Sequence, residues 1–135
     1  MDENTIKLFG SKRTDDWATP RWLYDQLDAE FHFNFDPCPL EPKEDGLLVE
    51  WNGNIFCNPP YSKVKEFLQK AHQELKSGRA KIVVFLVFVN TDTAWFHDYI
   101  YHKAEIRFIK GRVKFVGFSK AGSMRPSMIV IFKGD

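Results

Sequence analysis

Residues 58–61 read Asn-Pro-Pro-Tyr, a set suited to holding a planar amino group on a flat ring. Two consecutive prolines stiffen the backbone and remove two amide donors. The carbonyls of Asn58 and Pro59 are then available to a cleft, beside an amide side chain and an aromatic ring. The Asn58 side-chain oxygen can accept one N–H of an amino group, and the Pro59 carbonyl the other. Pro60 holds the turn and Tyr61 can stack on the ring face. Two acceptors draw electron density toward the nitrogen and stabilise the positive charge it develops as a nucleophile. The electrophile that suits such a nitrogen is a methyl sulfonium, which needs in-line positioning more than a strong base. The competing reading is a proline-rich turn in which Tyr61 only packs.

The elements around the motif have the required order. Asn54 to Cys57 reads as a short strand running into it, and Ser62 is a plausible helix cap. Val64, Phe67, Leu68, Ala71 and Leu75 then fall on one helical face, and Gly78 stops the helix. Residues 81–89 form an apolar, β-branched run that suits a strand buried on both faces. Thr91 or Asp92 could cap a helix containing Trp95, Phe96, Tyr99 and Ile100. Upstream, Pro20 opens a helix whose Leu23, Leu27 and Phe31 recur every four residues. Phe31, Phe33 and Phe35 alternate with polar residues and read as a strand ending at Asp36. Downstream, Glu105 to Ile109, Arg112 to Val116 and Ser127 to Phe132 read as strands, with a loop from Gly117 to Pro126.

This alternation predicts an α/β fold. The last strands have no room for another crossover helix, so they should pair antiparallel. Ligands in open α/β sheets bind beyond the carboxyl ends of the strands. Asp36-Pro37-Cys38-Pro39 and Asn58-Pro59-Pro60-Tyr61 should therefore share one rim.

At 135 residues the chain is expected to be one domain, residues 1–135, with a mobile arm over 1–14. Thirteen Phe and four Trp exclude a disordered chain. No apolar run approaches the roughly 20 residues of a membrane span, and the start lacks a secretory pattern. Cys38 and Cys57 are too few for a disulfide framework and lack metal-ligand spacing. They read as small buried hydrophobes, and the four His show no paired spacing, so no metal is implied. A cytoplasmic protein with reduced thiols is the expectation, with no membrane partner.

The net charge of +1 conceals a split. Residues 1–60 carry five Lys or Arg against twelve Asp or Glu; residues 61–135 carry fourteen against six. Between Lys103 and Arg125 there are seven basic residues and one acid. Such a block is one footprint of nucleic-acid binding and also describes a solvated basic face. Lys110, Arg112, Lys114 and Arg125 are the candidate phosphate contacts.

The sequence resembles the small phage-type DNA N-6-adenine methyltransferases, the phage Dam-like family. The resemblance is carried by Asp16-Trp17-Ala18-Thr19-Pro20, the helix Trp22 to Phe31, Asp36-Pro37, Asp45-Gly46-Leu47, Trp51 and Phe56 to Tyr61. Further on it is carried by Trp95-Phe96-His97, Gly111 to Phe115 and the strand Ser127 to Phe132. These occur in family order over residues 13–133. The resemblance implies a reduced Rossmann-like class I methyltransferase sheet, mostly parallel with an antiparallel C-terminal hairpin. It implies S-adenosyl-L-methionine as methyl donor and adenine in DNA as acceptor, flipped out of the duplex to reach the cleft. It assigns Asn58, Pro59, Pro60 and Tyr61 to the target base. It places Thr19, Pro20, Asp36 and Pro37 by the cofactor, and Trp17 and Cys38 are further cofactor candidates beside them; Asp36 could instead be a cap and Trp17 a core residue. One departure is plain: the glycine-rich turn expected after Asp36 is replaced by Cys38, Pro39 and Leu40.

Four alternatives stay open at this level. The amino group could be cytosine N-4, an RNA base or a glutamine side chain, or the chain could be a non-catalytic DNA-binding module. Asn at the head of the motif suits adenine or glutamine, and the basic block favours nucleic acid. A homodimer would enlarge the surface offered to DNA.

Overall fold

The computed structural model describes residues 18–39, 42–116 and 125–134. The arm expected over 1–14, and Trp17, lie outside the described residues. The elements are α1 (Arg21–Phe31), β1 (Gly53–Cys57), α2 (Val64–Lys76), β2 (Ala80–Phe88), α3 (Ala94–Tyr99), β3 (Glu105–Phe108) and β4 (Ser127–Lys133). A 3-10 turn, Tyr61–Lys63, leads into α2.

The four strands form one sheet in the order β1-β2-β4-β3. β1 and β2 run parallel, joined through α2. β4 runs antiparallel to both of its neighbours, β2 and β3. The antiparallel C-terminal pairing is present. The sheet is nevertheless mixed rather than mostly parallel, because β4 inserts between β2 and β3 and reverses direction against each.

β2 is buried along most of its length, as its continuous apolar run requires. Period-two alternation sends its side chains to two cores. Val83, Phe85 and Val87 join Phe67, Leu68 and Ala71 of α2, with Met128, Val130 and Phe132 of β4. Val84 and Leu86 join Leu23, Leu27 and Phe31 of α1 on the opposite face. The spacing-of-four stripe of α1 and the helical face of α2 are therefore what the two sides of the sheet bury.

Several local expectations are corrected. Phe31 ends α1 rather than opening a strand: His32 adopts a left-handed conformation and donates its N–H to the Asp28 carbonyl. Asp28 also caps the Phe33 N–H, and only Phe35 pairs, in a parallel bridge to Ile55. Arg112–Val116 is not a sheet strand. Its buried Val113 and Phe115 lie on the α1 face of the sheet, and Val116 alone pairs, with Ala18. Its alternation comes from packing on a sheet face, not from edge pairing. Pro20 stands one residue ahead of α1 at the cap position. The cap position of α2 falls on Lys63 rather than Ser62, after the 3-10 turn. Thr93, not Thr91 or Asp92, caps α3 by accepting the Phe96 N–H.

Topology brings one rim together. β1 and β2 end there, β4 begins there, and β3 ends there. The Phe35 bridge delivers Asp36 to the same rim. No described helix is long and apolar enough to cross a membrane.

Candidate active site at the carboxyl rim of the sheet

A cavity of about 680 Å³ opens at this rim. That lies within the several-hundred-Å³ range typical of small-molecule sites. Thr19, Asp36, Pro37, Cys38, Asn58 and Pro60, all expected from sequence, line it. Pro20 is not in its wall; its carbonyl accepts the Leu23 and Tyr24 N–H groups and starts α1. Pro59 and Tyr61 instead line an adjoining narrow cleft with Leu86, Phe88 and Phe115. Asn58 borders both spaces.

Asn58 follows β1 directly, so the strand fixes its backbone. Its side-chain nitrogen donates to the Thr19 hydroxyl at 3.1 Å. In this orientation the nitrogen faces Thr19 and the side-chain oxygen is the acceptor end of the amide. Thr19 is itself held by its neighbour Ala18, which exchanges two backbone bonds with Val116 at 3.2 and 2.9 Å.

Asp36 enters from the Phe35 bridge and accepts the Cys38 N–H at 2.9 Å. Burial pushes its carboxyl up to about 6, the Cys38 bond opposing but not cancelling that effect. A carboxylate held at a cavity wall at this cost is a good acceptor for hydroxyls or a cation. Cys38 and Cys57 place their sulfurs 3.0 Å apart. Cys57 is fully buried, as expected, and burial raises its thiol well above the ordinary range. Cys38 is only half-buried.

The glycine missing after Asp36 has a counterpart from another segment. A Cβ on Gly46 would lie 1.8 Å from the Pro37 carbonyl oxygen, so only glycine lets the 45–47 turn close against this loop. The Trp51 indole donates to the Gly46 carbonyl at 2.8 Å. The Trp51 N–H in turn donates to the buried Glu74 carboxylate. Arg79 completes that carboxylate with two bonds at 2.6 and 3.0 Å, and Lys70 lies at 3.5 Å. Sequence reasoning missed Glu74. Its signal was a charged residue three positions beyond Ala71, beside the apolar face of α2.

Tyr61 projects from the rim and is 38% exposed. Its ring lies 5.7 Å from that of Phe88. Asn90 and Arg125 both donate to its hydroxyl, at 3.0 and 2.8 Å. Arg125 therefore sits at the motif itself. Lys110, Arg112 and Lys114 are exposed along the segment that leaves β3. Arg21, Lys43 and Lys63 also line the large cavity and were not singled out by sequence.

Comparisons with known proteins place the sequence among its relatives. A family model described as DNA N-6-adenine-methyltransferase (Dam) matches residues 8–134. A protein of Haemophilus phage HP1 named DNA N-6-adenine-methyltransferase is 30% identical over 88% of this chain and 79% of its own length. A protein of Escherichia phage T1 with the same name is 27% identical over 71% of this chain. This chain spans 45% of that second relative's length.

Proposed function

The chain belongs to the DNA N-6-adenine-methyltransferase (Dam) family, and on that basis we propose that it methylates the N-6 amino group of adenine in DNA, with S-adenosyl-L-methionine as donor. The observation that carries the proposal is the position of Asn58. Its amide stands between a cavity of cofactor size and an aromatic cleft, oriented by Thr19.

The cavity's chemistry fits the donor. Asp36 offers an acceptor for hydroxyl or ammonium groups, and Thr19 a small hydroxyl. Arg21 and Lys63 supply positive charge for a carboxylate. The close approach of Gly46 to Pro37 lets backbone line the space where a side chain would intrude. Bound there, S-adenosyl-L-methionine supplies an electrophilic methyl group on a sulfonium.

The chain's own residues prepare the nucleophile. Asn58 accepts one amino proton through its side-chain oxygen, and the Pro59 carbonyl accepts the other. Held this way, the amino nitrogen presents its lone pair out of the ring plane. Positive charge then grows on that nitrogen beside two fixed dipoles, which need no reorganisation. Tyr61 holds the base by its face. As the N–C bond forms, the sulfonium's bond to its methyl group would break to leave a neutral thioether, and the methylated nitrogen is acidic enough to give its proton to water without a strong base. A base inside a duplex cannot reach this cleft, so the target is flipped out. Lys110, Arg112 and Lys114 serve the phosphates and supply affinity without sequence choice.

The test is methyl transfer from labelled S-adenosyl-L-methionine to unmethylated DNA, followed by digestion to nucleosides. Label in N-6-methyldeoxyadenosine is expected. Label in methylcytosine would move the chemistry to another base, and a blank on DNA would overturn the proposal.

A further inference from the structure

Tyr61, Asn90 and Arg125 form a closed ring of hydrogen bonds. Asn90 and Arg125 each donate to the Tyr61 hydroxyl, and Arg125 also donates to the Asn90 side-chain oxygen at 3.2 Å. The three residues come from different elements. Tyr61 follows β1, Asn90 follows β2, and Arg125 precedes β4. The last two are tied by backbone, since the Val89 N–H donates to the Pro126 carbonyl at 2.9 Å. The guanidinium of Arg125 also lies over the Tyr61 ring, 5.2 Å from its centroid.

An exposed tyrosine turns readily about its side-chain bonds unless its far end is held. Here two donors fix the hydroxyl, while Phe88 meets the ring at 53° and 5.7 Å. Together they set the plane of the ring. A stacking contact depends on that plane, because offset stacking holds only over a narrow range of tilt and separation. Positioning of this kind changes the chemical step far more than it changes overall affinity.

We propose that Asn90 is a positioning residue for the methyl-transfer reaction: with Arg125 it fixes the plane on which Tyr61 receives the target base. The inference rests on the reading of residues 58–61 as the base site. Arg125 touches both the hydroxyl and the ring face, so removing it changes two things at once. Asn90 acts on the ring through its bond to the hydroxyl and through its bond to Arg125, and both end on the Tyr61 side chain, so it is the residue to vary.

The experiment is a double-mutant cycle on the full chain with Asn90→Ala, Tyr61→Phe and the pair. kcat for methyl transfer, DNA binding and melting temperature are measured for each. Both single variants are expected to lose roughly tenfold in kcat, with DNA binding and melting temperature unchanged. Because both of Asn90's bonds act on the Tyr61 side chain, the double variant should lose clearly less than the product of the two single losses. Losses that multiply in the double variant, or a full rate in Asn90→Ala, would overturn the inference while leaving the function intact. A wild-type chain that transfers no methyl to DNA would instead remove the function, and the inference with it.

Discussion

The side-chain amide of Asn58 is bonded to the hydroxyl of Thr19 across 39 residues of sequence, at 3.1 Å. The bond joins the residue that follows β1 to the segment that walls the cavity.

Two variants separate these roles. Asn58→Ala removes the acceptor and should lower kcat by roughly 10²–10³-fold, the usual loss for one charge-stabilising dipole. Thr19→Val keeps the shape but removes this bond to the amide. One hydrogen bond of about 1 kcal/mol corresponds to a loss of roughly fivefold. Single-turnover methyl transfer measures both. Equal losses would mean that Thr19 does more than orient Asn58.

Asp36 gives a prediction with opposite signs for stability and for binding. Its folded carboxyl titrates near 6 against an ordinary value of 3.8, because burial disfavours the charge. The folded state therefore binds the proton more tightly, and stability falls as pH rises between those values. The penalty is absent below about pH 3.8 and complete above about 6. Over that interval it amounts to roughly 3 kcal/mol, at about 1.4 kcal/mol per pH unit. Asp36→Asn should melt higher than wild type at pH 7.5, the difference closing by pH 3. The same variant should bind S-adenosyl-L-methionine more weakly. Wild-type binding should weaken as pH falls through about 6. Melting curves and calorimetric titrations at several pH values check both.

Glu74 titrates in the other direction. Its carboxyl is held down to about 2, first by the Arg79 hydrogen bonds and also by the Trp51 N–H. Its stabilising contribution is present above an ordinary value of 4.5 and is lost as pH falls toward 2. Glu74→Ala leaves the Trp51 N–H without its acceptor and Arg79 without its partner. About 2–3 kcal/mol of stability should go at pH 7, the cost of orphaning a buried donor and a half-exposed cation. Denaturant midpoints for wild type and variant should converge as the pH is lowered.

The stripes of α1 and α2 and the doubly buried β2 were legible because each is a local pattern of apolar spacing. The shared rim followed from two loops read as coming after strands; one follows β1, and the other follows only the Phe35 bridge. What sequence did not disclose depends on tertiary choices. β4 enters between β2 and β3, an order that no periodicity within any strand encodes. Asn90 is unremarkable until Arg125, 35 residues away, arrives beside it. Glu74 breaks the polarity of its helix face, yet its partners Trp51 and Arg79 lie on separate segments. The alternation of residues 112–116 was real, but it reports packing on a face rather than a strand.

Gly46 tests the cavity wall. A methyl group there would stand 1.8 Å from the Pro37 carbonyl oxygen, and neither backbone can yield cheaply. Gly46→Ala should destabilise the fold by about 1–3 kcal/mol, the usual cost of overpacking. It should also weaken S-adenosyl-L-methionine binding beyond what the loss of folded fraction explains. Equilibrium dialysis at a temperature where the variant is fully folded separates the two effects. Wild-type affinity there would remove the 45–47 turn from the cofactor site.

The exposed cations of residues 110–114 govern the last prediction. Arg112 and Lys114 are exposed while Val113 and Phe115, alternating with them, are buried, so the segment offers its charges on one side. Each phosphate contact releases condensed counterions, and the logarithm of affinity falls with the logarithm of salt by nearly one unit per contact. Replacing Arg112 and Lys114 with Ala together should weaken binding to any DNA sequence. The salt slope should drop by roughly two on duplex DNA. kcat at saturating DNA should hold, because neither residue lines the cavity or the aromatic cleft. Fluorescence anisotropy on two unrelated duplexes, from low to moderate salt, measures this directly. An unchanged slope would move the DNA surface elsewhere on the rim, and a loss confined to one duplex would make these residues readers of sequence.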